Sequence, residues 1–188
     1  MEKNLFDEQG DQGNLNDLMR LISEMEQSGS MGYALEPEKL EFNYEKLDDD
    51  VADPNYAYES DSGFDLKANE DVHIEPYSRA GVKTGLKFSI PEGLEVQVRP
   101  KSGLALNKGL TVLNTPGTVD SGYLGEVIVI MFNTTKETVK IEKGMKIAQA
   151  VLCPVVNGRY VNFVRVESVS DASGNKDRNE NGFGSTGA

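Results

Sequence analysis

Lys101, Ser102 and Gly103 follow a strand-like run, Leu94–Arg99, so a cation, a hydroxyl and a glycine stand in one turn. Backbone N–H groups freed by such a turn form a nest for an anion. A second set of donors lies at Gly182-Phe183-Gly184-Ser185-Thr186-Gly187, with Arg178 nearby. Two phosphate-type cradles in one chain point to a polyphosphate ligand. Between them runs Asn114-Thr115-Pro116-Gly117-Thr118-Val119-Asp120-Ser121-Gly122-Tyr123, rich in turn residues and holding a carboxylate and an aromatic. Asp120 is of the type that orients and deprotonates a water, and Tyr123 of the type that stacks on a sugar.

Other chemistries find little support. His73 is the sole histidine and alternates with Val72 and Ile74, as a solvent-facing strand residue does. Cys153 closes an apolar run before Pro154 and reads as a small core residue rather than a nucleophile. One Cys and one His can form neither an intramolecular disulfide nor a structural zinc site from those ligands. Lys83-Thr84-Gly85 lacks the Ser-x-x-Lys that would accompany it in penicillin-binding enzymes. Asp120-Ser121-Gly122 matches the triplet of retroviral aspartic proteases, but Val127–Phe132 lacks the glycine that such enzymes need on a later strand.

The elements that must position these residues are short strands. Leu94, Val96 and Val98 alternate cleanly with Glu95, Gln97 and Arg99. Similar runs are predicted at Phe64–Ala68, Val72–Ile74, Val82–Ile90, Leu110–Asn114, Glu126–Phe132, Thr138–Ile141, Lys146–Cys153 and Tyr160–Val166, with an earlier one through Leu40, Phe42 and Tyr44. Turn signals at Pro91-Glu92-Gly93, Glu142-Lys143-Gly144 and Asn157-Gly158 separate them, and no long helical pattern intervenes. The pattern predicts an all-β barrel or double-sheet roll.

The chain has 188 residues, which fits one domain plus a tail. Its 31 acidic and 19 basic residues give a net charge of −12, which argues against direct nucleic-acid binding. The acidity is concentrated in residues 1–54, which carry a net −11. Within residues 1–35, an acidic N-terminal extension, Leu15, Leu18, Met19, Ile22 and Met25 recur at helical spacing, suited either to docking on the body or to a protein partner. Residues 36–167 form the β domain, and 168–188, glycine-rich and poor in apolar residues, form a flexible C-terminal arm. Nothing approaches the roughly 18 apolar residues of a membrane span, and no apolar run follows Met1, so a soluble cytoplasmic location is expected.

Five segments in this order resemble the motifs of the homotrimeric dUTPase family: Ser62–Ala68, Arg99–Ala105, Gly117–Glu126, Gly144–Gln149 and Arg178–Gly187, a likeness spanning residues 36–188. The resemblance implies a jelly-roll-like, distorted β-barrel and hydrolysis of dUTP to dUMP and pyrophosphate, with Mg2+ on the triphosphate. It implies that Asp120 holds the attacking water. Lys101, Ser102, Gly103 and Gln149 would face the phosphates, and Arg178 would pair with the γ-phosphate. Asp65 would touch the magnesium only through its water shell. A hairpin from Asn114 to Ile128, including Gly117, Thr118 and Val119, would read the uracil edge. Tyr123 would pack on deoxyribose, and Phe183, with Gly184 and Ser185, would close over the base. The family is trimeric, with sites built from several subunits.

Some positions depart from the family pattern. Lys101 stands where arginine is usual, so any brace on Asp120 would be a point charge without a planar fork. Met145-Lys146 replaces a common Asp-Arg pair, and Asn179, Glu180 and Asn181 stand where glycine is frequent. The related dCTP deaminases need a glutamate on the strand after the third motif, whereas Val127–Asn133 holds no carboxylate. A binding protein that uses the nucleotide as a signal is the non-enzymatic alternative.

Overall fold

The computed structural model describes residues 39–169. Eleven strands and one short helix occur among them: β1 (Asn43–Lys46), β2 (Phe64–Lys67), β3 (Val72–Ile74), β4 (Arg79–Lys83), β5 (Leu86–Ser89), β6 (Leu94–Arg99), α1 (Ser102–Lys108), β7 (Leu110–Val112), β8 (Gly117–Asp120), β9 (Ile128–Asn133), β10 (Val139–Ile141) and β11 (Lys146–Pro154). All ladders are antiparallel. The larger sheets have the orders β2-β11-β6-β8 and β4-β9-β7; β1-β5 and β10-β3 are two-stranded.

Strand alternation builds the core. In β6, Leu94, Val96 and Val98 are buried while Glu95, Gln97 and Arg99 are half-exposed. Successive side chains point to opposite faces, so one face of each sheet is apolar. Leu66, Val96, Val98 and Ala150 from the first large sheet join Val82, Leu110, Val112, Val129 and Met131 from the second in one cluster. The fold is therefore all-β and jelly-roll-like, two sheets closed on one core. The four sheets stay separate, so no continuous hydrogen-bonded cylinder closes among the described residues.

Several boundaries differ from the sequence expectation. The run Val82–Ile90 is broken by Thr84-Gly85, where Gly85 adopts φ +72° and a Cβ would lie 2.5 Å from Val51 and 2.8 Å from Asn69. Only glycine meets both demands. Of Leu40, Phe42 and Tyr44, only Phe42 packs against the core, its ring 5.1 Å from Phe88. Leu40 and Tyr44 are exposed, and the Tyr44 hydroxyl donates instead to Asp53 at 2.8 Å. The sequence pattern does not predict α1, because none of its residues is buried and it presents no apolar stripe.

The chain divides into two compact units, the first ending at Val155 and the second starting at Val156. In the second, Tyr160 N–H donates to the Asn157 carbonyl at 3.0 Å, closing a turn. The expected strand Tyr160–Val166 does not form: it carries no ladder, and Tyr160, Val161, Phe163, Val164 and Val166 are exposed. Alternation alone makes no strand without a neighbour to take its backbone hydrogen bonds. The expected helix near Leu15–Met25 lies outside the described residues.

Candidate active site

One cluster forms at the edge of the β2-β11-β6-β8 sheet. Asp65 on β2 pairs with Gln149 on β11, which pairs on its other side with Arg99 on β6. The chain then passes through Pro100 and Lys101 into α1, and Gln149 Nε2 donates to the Pro100 carbonyl at 3.0 Å, tying strand to turn. Lys101 Nζ pairs with Asp65 Oδ1. Lys146 Nζ reaches Asp65 Oδ2 at 2.6 Å.

A register shift brings Lys146 there. Lys146 opposes Lys67, yet Ala148 opposes Leu66, so β11 carries one extra residue. Without it Lys146 would fall on the buried face; with it, Lys146 shares the face of Asp65. The Asp65 side chain is 20% exposed. Burial pushes its carboxyl up, but hydrogen bonds from Lys101 and Lys146, then their charges, outweigh burial and hold it below the usual carboxylate range. Asp65 in turn raises Lys146.

Ser102 and Gly103 open α1 and are exposed. Leu104 and Ala105 N–H groups turn back to the Lys101 carbonyl at 3.1 and 3.0 Å. The N–H groups of Ser102 and Gly103 precede that first bond and have no intrahelical acceptors.

A second cluster surrounds the passage from β8 to β9. The expected hairpin is not a two-stranded ladder: β8 pairs with β6, whereas β9 pairs with β4 and β7. Residues 121–127 therefore carry the chain from one sheet to the other. Thr118, Val119, Asp120, Tyr123, Glu126, Val127 and Ile128 line a cavity of about 190 Å³ at this crossing. Asp120 is exposed at the end of β8, and its carbonyl accepts from Tyr123 N–H at 3.0 Å. The Tyr123 hydroxyl donates to the Glu126 carbonyl at 3.0 Å. Asn114 packs over the buried Gly117, whose Cβ, if present, would lie 3.0 Å from Asn114 Nδ2.

The two clusters do not meet within one chain. Asp120 opposes Glu95, four residues along β6 from Arg99, and β8 is three strands away from β2. At about 3.3 Å per residue and 4.8 Å per strand, Asp65 and Asp120 lie on the order of 20 Å apart. Within one chain, Lys101 is thus engaged with Asp65 and does not reach Asp120.

His73 is exposed on β3 opposite Lys140, as its alternation implied. Cys153 is not a core residue: it is half-buried, and its sulfur lies 3.6 Å from Arg99 Nη2. It sits on the outer face of β11, where Arg99 donates to Gln97 at 2.7 Å and Gln97 to Glu95 at 2.7 Å. Arg178, Phe183, Gly184 and Ser185 lie outside the described residues. Sequence reasoning gave no role to Lys146 or Glu126. A charge opening β11 opposite Phe64–Lys67, and a carboxylate held half-buried before Val127, were the available signals.

Among the described residues no group of three or more His, Cys, Asp or Glu side chains is placed to hold a metal ion. Both oxygens of Asp65 are taken by lysines. No helix among the described residues is long and apolar enough to cross a membrane.

Comparison with known proteins places this architecture. The family model described as dUTPase matches residues 49–187. The deoxyuridine 5'-triphosphate nucleotidohydrolase of Clostridium tetani is 46% identical over 141 residues, 75% of this chain and 92% of its own length. That of Alkaliphilus metalliredigens is 48% identical over 134 residues, 71% of this chain and 88% of its own. Among solved structures, the Staphylococcus bacteriophage 80alpha dUTPase with dUPNHPP superposes with a TM-score of 0.67 at 26% identity, covering 80% of this chain and all of the phage protein. The chain belongs to the dUTPase family, the nucleotidohydrolases of deoxyuridine 5'-triphosphate.

Proposed function

We propose that the protein hydrolyses dUTP to dUMP and pyrophosphate by in-line attack of water on the α-phosphorus. Asp120 orients the water and takes its proton as the new P–O bond forms; the bond to the β-phosphate breaks and pyrophosphate leaves. Holding the nucleophile in line converts an encounter into a positioned step, and a carboxylate within reach supplies the base. The observation that carries this reading is the cavity at the sheet crossing, where Asp120 shares a lining with Tyr123 and Ile128.

In this reading the crossing selects the nucleotide. Backbone groups near Ile128, with Asn114, Gly117, Thr118 and Val119, meet the uracil edge, and a cytosine leaves polar groups unpaired. Tyr123 packs on deoxyribose and crowds a ribose hydroxyl. Lys101, Ser102, Gly103 and Gln149 meet the phosphates, and Arg178 pairs with the γ-phosphate through its planar fork. Phe183, Gly184 and Ser185 cover the base. Magnesium enters as part of the substrate, chelated by the triphosphate, and supplies charge neutralisation there; Asp65 faces its water shell.

The separation of Asp65 from Asp120 supports a homotrimer in which one copy contributes Asp120 and a neighbour contributes the phosphate-facing cluster. Residues 1–35 precede the family match and are proposed, from sequence alone, as a protein-binding extension. The test is substrate profiling with magnesium. Pyrophosphate release from dUTP, and little from dTTP or UTP, is expected; ammonia release from dCTP would replace this reading with deamination.

A further inference from the structure

Glu126 is tied to two parts of the molecule at once. Its Oε1 accepts the Gly85 N–H at 2.8 Å. Its main-chain carbonyl accepts the Tyr123 hydroxyl at 3.0 Å. Gly85 is buried in the turn between β4 and β5, so its N–H needs that acceptor. The next residue is locked to the same turn by two more bonds. Val127 N–H donates to the Leu86 carbonyl at 2.8 Å, and the buried Thr84 hydroxyl donates to the Val127 carbonyl at 2.7 Å. The Glu126 peptide therefore inherits its direction from the core.

The Tyr123 ring takes its pose from that peptide. Tyr123 is 47% exposed, so packing alone does not hold it. Its ring lies across Gly125 so closely that a Cβ there would fall 2.5 Å from the hydroxyl and 2.6 Å from the ring carbon bearing it. The hydroxyl bond to Glu126 and the bare face of Gly125 together fix the ring in one orientation over the cavity.

We propose that Glu126 is a positioning residue for sugar selection: by accepting the Gly85 N–H it acts with the Val127 bonds to hold the carbonyl that orients Tyr123, and so helps set the surface that separates deoxyribose from ribose. This rests on the reading that Tyr123 packs on the sugar. Gly125 serves the same end by leaving room for the ring.

The test compares kcat/KM for dUTP and UTP in the full-length enzyme and in five variants, each checked by thermal unfolding. Glu126→Ala is expected to lower the dUTP-to-UTP ratio about tenfold, as expected for loss of one charge-assisted hydrogen bond. Glu126→Gln keeps an acceptor for Gly85 and restores the ratio. Gly125→Ala leaves the Glu126 side chain intact, displaces the ring and lowers the ratio, which keeps the test decisive if Glu126→Ala folds poorly. In a Tyr123→Ala background, Glu126→Ala should lower the ratio no further. Unchanged ratios in Glu126→Ala and Gly125→Ala, or a full additional loss without Tyr123, would overturn the proposal alone. A wild-type enzyme inert toward dUTP would instead defeat the parent reading, and this one with it.

Discussion

Asp65 and Asp120 occupy the two outermost strands of one four-stranded sheet, on the same face but at opposite ends of its ladders. Both face outward because each is linked through in-register partners to the polar face of β6, where Glu95 and Arg99 point the same way. In the function proposed above, the carboxylate assigned to the substrate's magnesium and the carboxylate assigned to the nucleophile thus lie on the order of 20 Å apart in a single chain, a difficulty for one nucleotide. Two copies side by side remove the difficulty.

Asp120→Asn keeps size and hydrogen-bonding but removes the proton acceptor. Turnover of dUTP should fall by about 100-fold or more, the usual contribution of a general base. Binding of a non-hydrolysable dUTP analogue, followed by calorimetry, should persist. Comparable turnover in the variant would remove Asp120 from the role given to it.

The lysine pair on Asp65 makes stability pH-dependent in a definite direction. Because the folded carboxyl is held below its ordinary range, the stabilisation is fully present above the unfolded value, about 3.9. It is lost as pH falls through the lower folded value. Asp65→Asn should therefore unfold at a lower temperature than wild type at pH 6, and the gap should close toward pH 2. Thermal unfolding across that range checks it. A gap that is constant with pH would show that the ion pairs contribute nothing.

Asn133 is fully buried and ties the end of β3 to the loop that follows β9. Its Nδ2 donates to the carbonyls of Ile74 at 3.0 Å, Glu75 at 3.2 Å and Glu137 at 2.8 Å. Its Oδ1 accepts from Thr135 N–H at 2.9 Å and from the Thr135 hydroxyl at 2.8 Å. Asn133→Leu preserves volume and strands these partners, which should cost about 2–4 kcal/mol of stability by chemical denaturation. Activity per folded molecule should be unaffected, since Asn133 touches neither cluster.

Much of this was legible in the sequence wherever the controlling contacts are local. The alternation of Leu94–Arg99 gave β6 and its buried face. The turn residues around Asn114–Tyr123 located Asp120 and Tyr123, which do share a cavity. What failed depends on distant partners. Gly85 breaks a continuous apolar run because Val51 and Asn69 crowd it from elsewhere in the chain. β8 and β9 do not pair because each finds a different sheet. Lys146 reaches Asp65 only through an extra residue in β11, a register detail that composition does not encode. Tyr160–Val166 has the pattern of a strand but no ladder, because no neighbour among the described residues takes its backbone hydrogen bonds.

Complementation between two inactive variants tests the shared site most directly. Asp120→Asn and Ser102→Ala are each unfolded, mixed in equal amounts and refolded together. If every site joins Asp120 of one copy to the phosphate-facing cluster of another, random assembly leaves about a quarter of the sites intact, and dUTP hydrolysis returns to about that fraction of wild type. A mixture no more active than its two components would mean that each chain carries a whole site, contradicting the account.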